Sequence, residues 1–273
     1  MYDIDIQNEL QNLSDFVQQQ KVSLASHWRI DKQGSLQHWQ DILAQLESAI
    51  EENSLWFNVH EDAEQDVYLL MEQEIVFKQC CLDLTYLLRL SYDLGLNQAI
   101  RVVLYTHILN IWLAYADLLA VIQQKGQMQA VAPLILEVDY ATALLLMTGA
   151  IVLDEGDSVV KIVHALLYDQ TDCLLDILIY PYFQVDEIST QYTLAYPYAC
   201  LAQCLNQEMN VNTLATYLAK IEQDQRSGVY WQKKNFHRLQ VLGQWSFEAL
   251  ALAVIYQLDL NQLSTFTNFP QDF

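Results

Sequence analysis

Residues 100–122, IRVVLYTHILNIWLAYADLLAVI, decide the fold class. Ile100, Val103, Leu104, Ile108, Ile111, Trp112, Tyr115, Leu118, Leu119 and Ile122 recur in steps of three and four, with His107 on the same line. That is the period of an α-helix with one buried face. Val102, Leu109 and Leu113 add apolar surface on another side, so this helix is expected to pack on two faces near the middle of a bundle. The segment is long enough to cross a bilayer, but Arg101, His107, Asn110 and Asp117 interrupt it, and a core helix explains it better. Upstream, Asp66 to Tyr92 carries Leu70, Phe77, Cys81, Leu84 and Leu88 at compatible spacing, and Gly95 separates the two segments. A helical hairpin is the simplest arrangement. Downstream, Tyr140 to Leu153 is almost uninterrupted apolar sequence but shorter than the roughly 20 residues a membrane span needs.

The rest of the chain extends this pattern. In 273 residues there are only 7 Gly and 4 Pro, and 53% of the residues are hydrophobic. Scarce helix breakers over a globular composition point to helices joined by short connections. Periodicity fades over Gln123 to Pro133, which contains Lys125-Gly126-Gln127 and divides the chain into an N-terminal helical region, 1–125, and a C-terminal one, 134–273. Further helices are predicted near Asp157–Leu167, Asp172–Ile179, Tyr196–Leu205, Asn212–Gln223 and Gln244–Gln257. No alternating strand pattern and no sequence repeat appears. The fold class expected is all-α, a helical bundle.

Charge narrows the function. There are 13 basic and 34 acidic residues, a net charge of −21. Nucleic acid is thereby disfavoured as a direct ligand, because phosphate binding needs Lys and Arg. An anionic membrane surface is disfavoured for the same reason, and a basic protein partner is favoured. Between Lys32 and Lys78 there is no base but ten acids: Asp41, Glu47, Glu51, Glu52, Glu61, Asp62, Glu64, Asp66, Glu72 and Glu74. Between Lys161 and Lys220 there is again no base, against Asp169, Asp172, Asp176, Asp186, Glu187 and Glu208. A continuous helix would put Asp169, Asp172 and Asp176 on one face, with Tyr168, Tyr180, Tyr182 and Phe183 interleaved. These acids read either as an ordinary solvated face or as a docking surface. On the second reading Asp169, Asp172, Asp176, Asp186 and Glu187 are the candidate contact residues.

Catalytic constellations are missing from the pattern. There is no Gly-rich phosphate loop, no nucleophile elbow and no paired Glu-x-x-His, and no cofactor or metal is implied. His60 and Glu64 stand one turn apart, which is more often a solvated helix face than a metal site. Cys80, Cys81, Cys173, Cys200 and Cys204 have neither disulfide nor zinc spacing and read as buried, reduced thiols of a cytoplasmic protein. The opening Met1-Tyr2-Asp3-Ile4-Asp5 lacks the features of a secretion signal. Glu248 stands alone in the apolar run Trp245 to Tyr256. A buried carboxylate needs hydrogen bonds or protonation, so Glu248 is either an acid catalyst or an anchor that accepts from Arg238, a tyrosine or backbone amides.

Several C-terminal motifs resemble a known family: Tyr230-Trp231 through His237, Gly243-Gln244-Trp245-Ser246-Phe247-Glu248-Ala249, Asp259, and the closing Phe269-Pro270-Gln271-Asp272-Phe273. They are similar to immunity proteins of the PoNe class of polymorphic-toxin DNases. Tyr140 to Asp154, Asp172 to Ile179 and Tyr196-Pro197-Tyr198 also look like family features, and the hairpin around Tyr92 to Ile122 matches more loosely. Gln244 and Gln271 depart from the family pattern, where aromatics are usual, and Asp259-Leu260-Asn261 is a weaker acidic turn. The resemblance implies an all-α protein of two associated helical regions, made beside its toxin in the bacterial cytoplasm. It also implies protection by direct binding of the toxin, without catalysis. Trp245, Phe247 and Glu248 would then be structural, and toxin specificity would reside in the acidic surface. A helical scaffold or adaptor with another basic partner, or a small-molecule enzyme built around Glu248, are the other readings, and homo-oligomerisation stays open.

Overall fold

A computed structural model describes residues 6–19, 67–126, 137–166, 172–183, 188–194, 198–201, 209–227 and 245–271, with a few positions between 37 and 44. Most of the described residues are helical, with no strand among them, and the chain is all-α. Two compact units divide between Thr142 and Ala143.

In the first unit, α1 (Ile6–Gln19) buries Leu10, Leu13, Ser14 and Val17 on one stripe and packs that stripe on α3. Helices α2 (Val67–Asp93) and α3 (Gln98–Gly126) form the hairpin that the 100–122 period implied. The turn between them has a stated chemistry. Gly95 adopts φ 70°, a left-handed conformation that glycine enters without steric penalty. The amides of Leu94, Gly95 and Leu96 return to the last carbonyls of α2. The Asn97 carboxamide then accepts the Ile100 amide at 3.0 Å and starts α3. Leu104, Ile108, Ile111, Trp112, Tyr115, Leu118, Leu119 and Ile122 are all buried, as are Leu109 and Leu113 on the second face. At the start of the stripe Val103 emerges into solvent. Helix α3 is the described helix long and apolar enough to cross a membrane, yet 67% of its most apolar window is covered by protein, as in a core helix.

The division between the units falls inside α4 (Glu137–Val152). Asp139, in the first turn of α4, ties this helix start to the first unit. Its carboxylate accepts from the Lys78 ammonium of α2 at 2.6 Å and lies 3.4 Å from the Tyr115 hydroxyl of α3. Residues 127–136, with most of the Gln123 to Pro133 breaker, lie outside the described residues.

In the second unit, α4 ends on Asp154, whose φ of 62° closes the helix, and α5 (Gly156–Leu166) follows. A Cβ at Gly156 would come 2.9 Å from the Tyr182 ring, so this position lets an aromatic close in on the helix start. Helix α6 (Cys173–Ile179) is buried along its whole length and packs on α5 and on α8. A short 3-10 turn (Ala199–Leu201) and α7 (Val211–Ser227) come next. They are followed by α8 (Phe247–Ile255) and α9 (Leu260–Leu263). Four predicted helices of this half are present within a few residues of their expected bounds; of Tyr196–Leu205, only the 3-10 turn and Tyr198 are described. Leu214, Tyr217, Leu218 and Ile221 give α7 one buried stripe, which meets α8 and α9.

Candidate functional site

The apolar run that opens α8 places its one carboxylate inside the second unit. Glu248 is only 8% exposed. One of its oxygens, Oε1, accepts the Tyr217 hydroxyl at 2.5 Å and the Ser246 hydroxyl at 2.5 Å. A tyrosine one helix away thus supplies what a buried carboxylate needs, while Arg238 lies outside the described residues. The chain terminus is stitched into the same place. Ser246 donates its amide to the Asn268 carbonyl at 2.8 Å, and the Asn268 carboxamide donates to the Leu218 carbonyl at 3.1 Å. The Thr267 hydroxyl donates to Glu222, and Phe269 is buried. Trp245 is half-buried and Phe247 is buried. Glu248, Ser246, Tyr217 and Asn268 are therefore a knot that ties α7, the start of α8 and the tail together. Among the described residues, the groups that hydrogen-bond to Glu248 are hydroxyls, and the arrangement is that of an anchor.

Asp172 and Asp176, the acids of the second acidic stretch that are among the described residues, do not face solvent. Asp172 is 1% exposed and Asp176 is 4% exposed. Asp172 is the N-cap of α6, which begins one residue later, so no continuous helix carries it on one face with Asp169. Its Oδ1 accepts the amides of Leu174 and Leu175 at 3.1 Å each, and its Oδ2 accepts the Thr193 amide at 2.7 Å. Asp176 accepts the Ser189 amide at 2.8 Å. Cys173 donates its amide to the Gln191 carbonyl at 2.7 Å. Together these bonds fasten residues 189–193 along the start of α6. Burial is the first cause of a raised Asp176 carboxyl pKa, opposed by the Ser189 hydrogen bond and reinforced by the Asp172 charge. The structure thus places Asp172 and Asp176 inside the fold and not on an exposed helix face, with both oxygens of Asp172 and the Oδ2 of Asp176 accepting from backbone amides. Asp169, Asp186 and Glu187 lie outside the described residues. Of the aromatics interleaved with them, Tyr180 and Phe183 reach solvent, and Phe183 meets the His164 ring edge-on at 5.8 Å between centroids.

The first unit holds a polar cluster that the sequence did not signal. The Lys78–Asp139 pair is joined by Tyr115, whose hydroxyl donates to Glu74 at 3.0 Å. Burial, then the Asp139 charge, pushes the Tyr115 hydroxyl pKa well up, so the tyrosine remains a neutral donor. Burial also raises the Asp139 carboxyl, against the lowering effect of Lys78. Cys81 beside this cluster is likewise raised by burial first, and burial followed by the Asp83 charge pushes Cys80 up to about 12. Protonated thiols of this kind are poor nucleophiles and poor metal ligands. Separately, Glu9 of α1 receives His107 at 2.6 Å and the Asn110 carboxamide at 3.1 Å, both from α3. His107 thus joins two helices of the core. Among the described residues no three His, Cys, Asp or Glu side chains gather so as to hold a metal ion.

One surface of the first unit is built differently. Tyr68, Met71 and Ile75 follow one another along the solvent side of α2, with Val76 beside them and Glu72 and Gln79 on the same face. Leu70, Phe77 and Cys81 point the other way, into the core. The sequence reading placed Leu70, Phe77 and Cys81 on the buried stripe and overlooked the second apolar row. A helical plot of residues 67–79 contains that signal, since 68, 71, 75 and 79 share one side.

Comparison with known proteins adds two findings. Residues 170–273 match the family of PoNe immunity proteins (PoNi), C-terminal. The fold is similar to that in the crystal structure of protein PA2201 from Pseudomonas aeruginosa, with a TM-score of 0.75, at 21% sequence identity over 98% of this chain and 95% of that one. No curated protein matches the sequence.

Proposed function

We propose, from a segment 170–273 that belongs to the C-terminal family of PoNe immunity proteins, that this chain neutralises a cognate antibacterial DNase toxin by binding it directly. The immunity role rests on that family match, which is the observation that carries the proposal. The choice of direct binding over catalysis is supported by the chemistry of the buried polar groups. Glu248 is tied to Tyr217 and Ser246, Asp172 and Asp176 to backbone amides, and Cys80 and Cys81 are held as protonated thiols. Glu248, Asp172 and Asp176 each have a structural duty. The choice of a basic protein as the partner is supported by the net charge of −21, since an enzyme that acts on DNA must present cationic groups to phosphate. Neutralisation would take place in the bacterial cytoplasm, where a DNase meets its substrate.

The test is co-expression with the toxin encoded beside this chain. Cells carrying both are expected to keep intact chromosomal DNA and to grow, while cells carrying the toxin alone lose both. Unchanged DNA damage with the protein soluble and abundant overturns the proposal.

A further inference from the structure

We infer that the solvent side of the first half of α2, centred on Tyr68, Met71 and Ile75, is the surface on which a basic, apolar-centred face of the toxin docks; this rests on the neutralisation reading above. Tyr68 is 77% exposed and Ile75 65%, and Met71 and Val76 are exposed beside them. Four large apolar side chains on neighbouring turns of one helix form a contiguous patch, which is unusual at a surface that meets only water. The other side of the same helix is already filled by Leu70, Phe77 and Cys81, so the exposed row adds nothing to the core. Tyr and Met are also side chains enriched at protein interfaces.

Charge identifies the occupant. Glu72 lies within the patch, and the chain from residue 33 to residue 77 contains ten acids and no base. Lys78, the base that ends this stretch, is engaged by Asp139. A second copy of this chain would bring another net −21 to the same place, and like charges oppose such pairing. A partner whose apolar contact is ringed by Lys and Arg is attracted instead. The patch also lies outside residues 170–273, which match the shared C-terminal family, and a contact specific to one toxin is expected outside the shared segment.

The experiment uses the full-length chain and the purified, catalytically inactivated toxin encoded beside it. Binding kinetics are measured for wild type, for the double variant Tyr68→Ala/Ile75→Ala and for Glu72→Lys, with circular dichroism as the folding control. The double variant is expected to dissociate about tenfold faster or more, as for loss of central apolar contacts. Glu72→Lys is expected mainly to slow association. If wild type binds the toxin and both folded variants bind within about twofold of it, a difference of only a few tenths of a kcal/mol, the α2 surface is excluded while neutralisation stands. If wild type itself neither binds nor protects, the neutralisation reading fails and this surface assignment with it. Sedimentation that finds wild type dimeric and the double variant monomeric also overturns the assignment, in favour of self-association.

Discussion

The Tyr217 hydroxyl donates to Glu248 at 2.5 Å across 31 positions of the chain, and joins the middle of α7 to the first turn of α8. The same carboxylate oxygen receives Ser246, whose own amide is bound by the Asn268 carbonyl. Removing the carboxylate leaves two hydroxyls in a buried place without their acceptor. Glu248→Ala is therefore expected to lower stability by roughly 1–3 kcal/mol, and Tyr217→Phe by about 1 kcal/mol. In a double-mutant cycle the two losses should add to less than their sum, because both variants remove the same bond. Chemical denaturation of the four proteins measures this. A Glu248→Ala protein that melts like wild type but no longer protects cells would move Glu248 from anchor to binding residue.

Asp172 caps α6 and at the same time holds the Thr193 amide. Loss of an N-cap side chain costs about 1 kcal/mol on average, and here a loop contact goes with it. Asp172→Ala should destabilise the second unit by roughly 1–3 kcal/mol. Amide hydrogen exchange at Leu174, Leu175 and Thr193 should accelerate together. Acceleration confined to Leu174 and Leu175 would show that Thr193 is held by other groups.

Asp176 supplies a prediction with a definite sign in pH. Its folded carboxyl titrates above the ordinary value of 3.8, first because it is buried. In the interval between 3.8 and the raised folded value the folded protein binds more protons than the unfolded chain. The contribution of Asp176 to stability is thus fully present below the ordinary carboxyl value and declines as pH rises through the folded one. Asp176→Asn removes this titration. The stability of wild type minus that of the variant should fall as pH is raised from about 3.9, the ordinary Asp value, toward neutrality. Denaturant midpoints across that range decide the matter, and a difference that grows with pH would reverse the sign assigned here.

How much of this was readable before the structure depends on the range of each interaction. The α2–α3 hairpin was legible because a helix repeats its own contacts every three or four residues, and Gly95 marks the turn. The need of Glu248 for hydrogen bonds was legible because eleven apolar or small neighbours surround it in sequence, but the identity of Tyr217 was not, being set by packing of another helix. The spacing of Asp172 from Asp169 and Asp176 imitates a helix face. An acid immediately before Cys173-Leu174-Leu175 also carries the N-cap signature, and that local signal was the correct one. Asp139 was invisible for a different reason: its partner Lys78 is 61 residues away.

That Lys78–Asp139 pair should behave as a partly buried ion pair. The two side chains are 21% and 10% exposed, so the effect of Lys78→Ala should lie between the ~1 kcal/mol of an exposed pair and the 3–5 kcal/mol of a fully buried one. Loss of the lysine leaves Asp139 with Tyr115 in a buried place and Glu74 close by. Lys78→Met/Asp139→Asn should recover much of the stability lost in Lys78→Ala, because it removes both charges and keeps similar volumes. Thermal denaturation compares the three. A double variant less stable than Lys78→Ala would mean that charge at this position is required for packing and not merely tolerated.

The last prediction separates buried acids from exposed ones in toxin capture. Long-range attraction between an acidic surface and a basic partner raises the association rate and weakens as salt shortens the screening length to about 8 Å at physiological ionic strength. Wild-type association with the toxin should therefore slow as salt rises, with dissociation little changed. Exposed acids dominate such steering because they approach the partner most closely. Glu72 is exposed on α2, whereas Asp172 and Asp176 lie buried, both oxygens of Asp172 and the Oδ2 of Asp176 bound to amides. Glu72→Lys is expected to slow association at low salt and to flatten its salt dependence. Asp172→Asn, which keeps one capping oxygen, is expected to leave both the rate and its slope near wild type at temperatures where it is folded. Stopped-flow association over a salt series, with circular dichroism at each condition, measures both. Association independent of salt in wild type would remove charge from the capture mechanism. A folded Asp172→Asn protein slowed as much as Glu72→Lys would return Asp172 to the docking face, in spite of its burial.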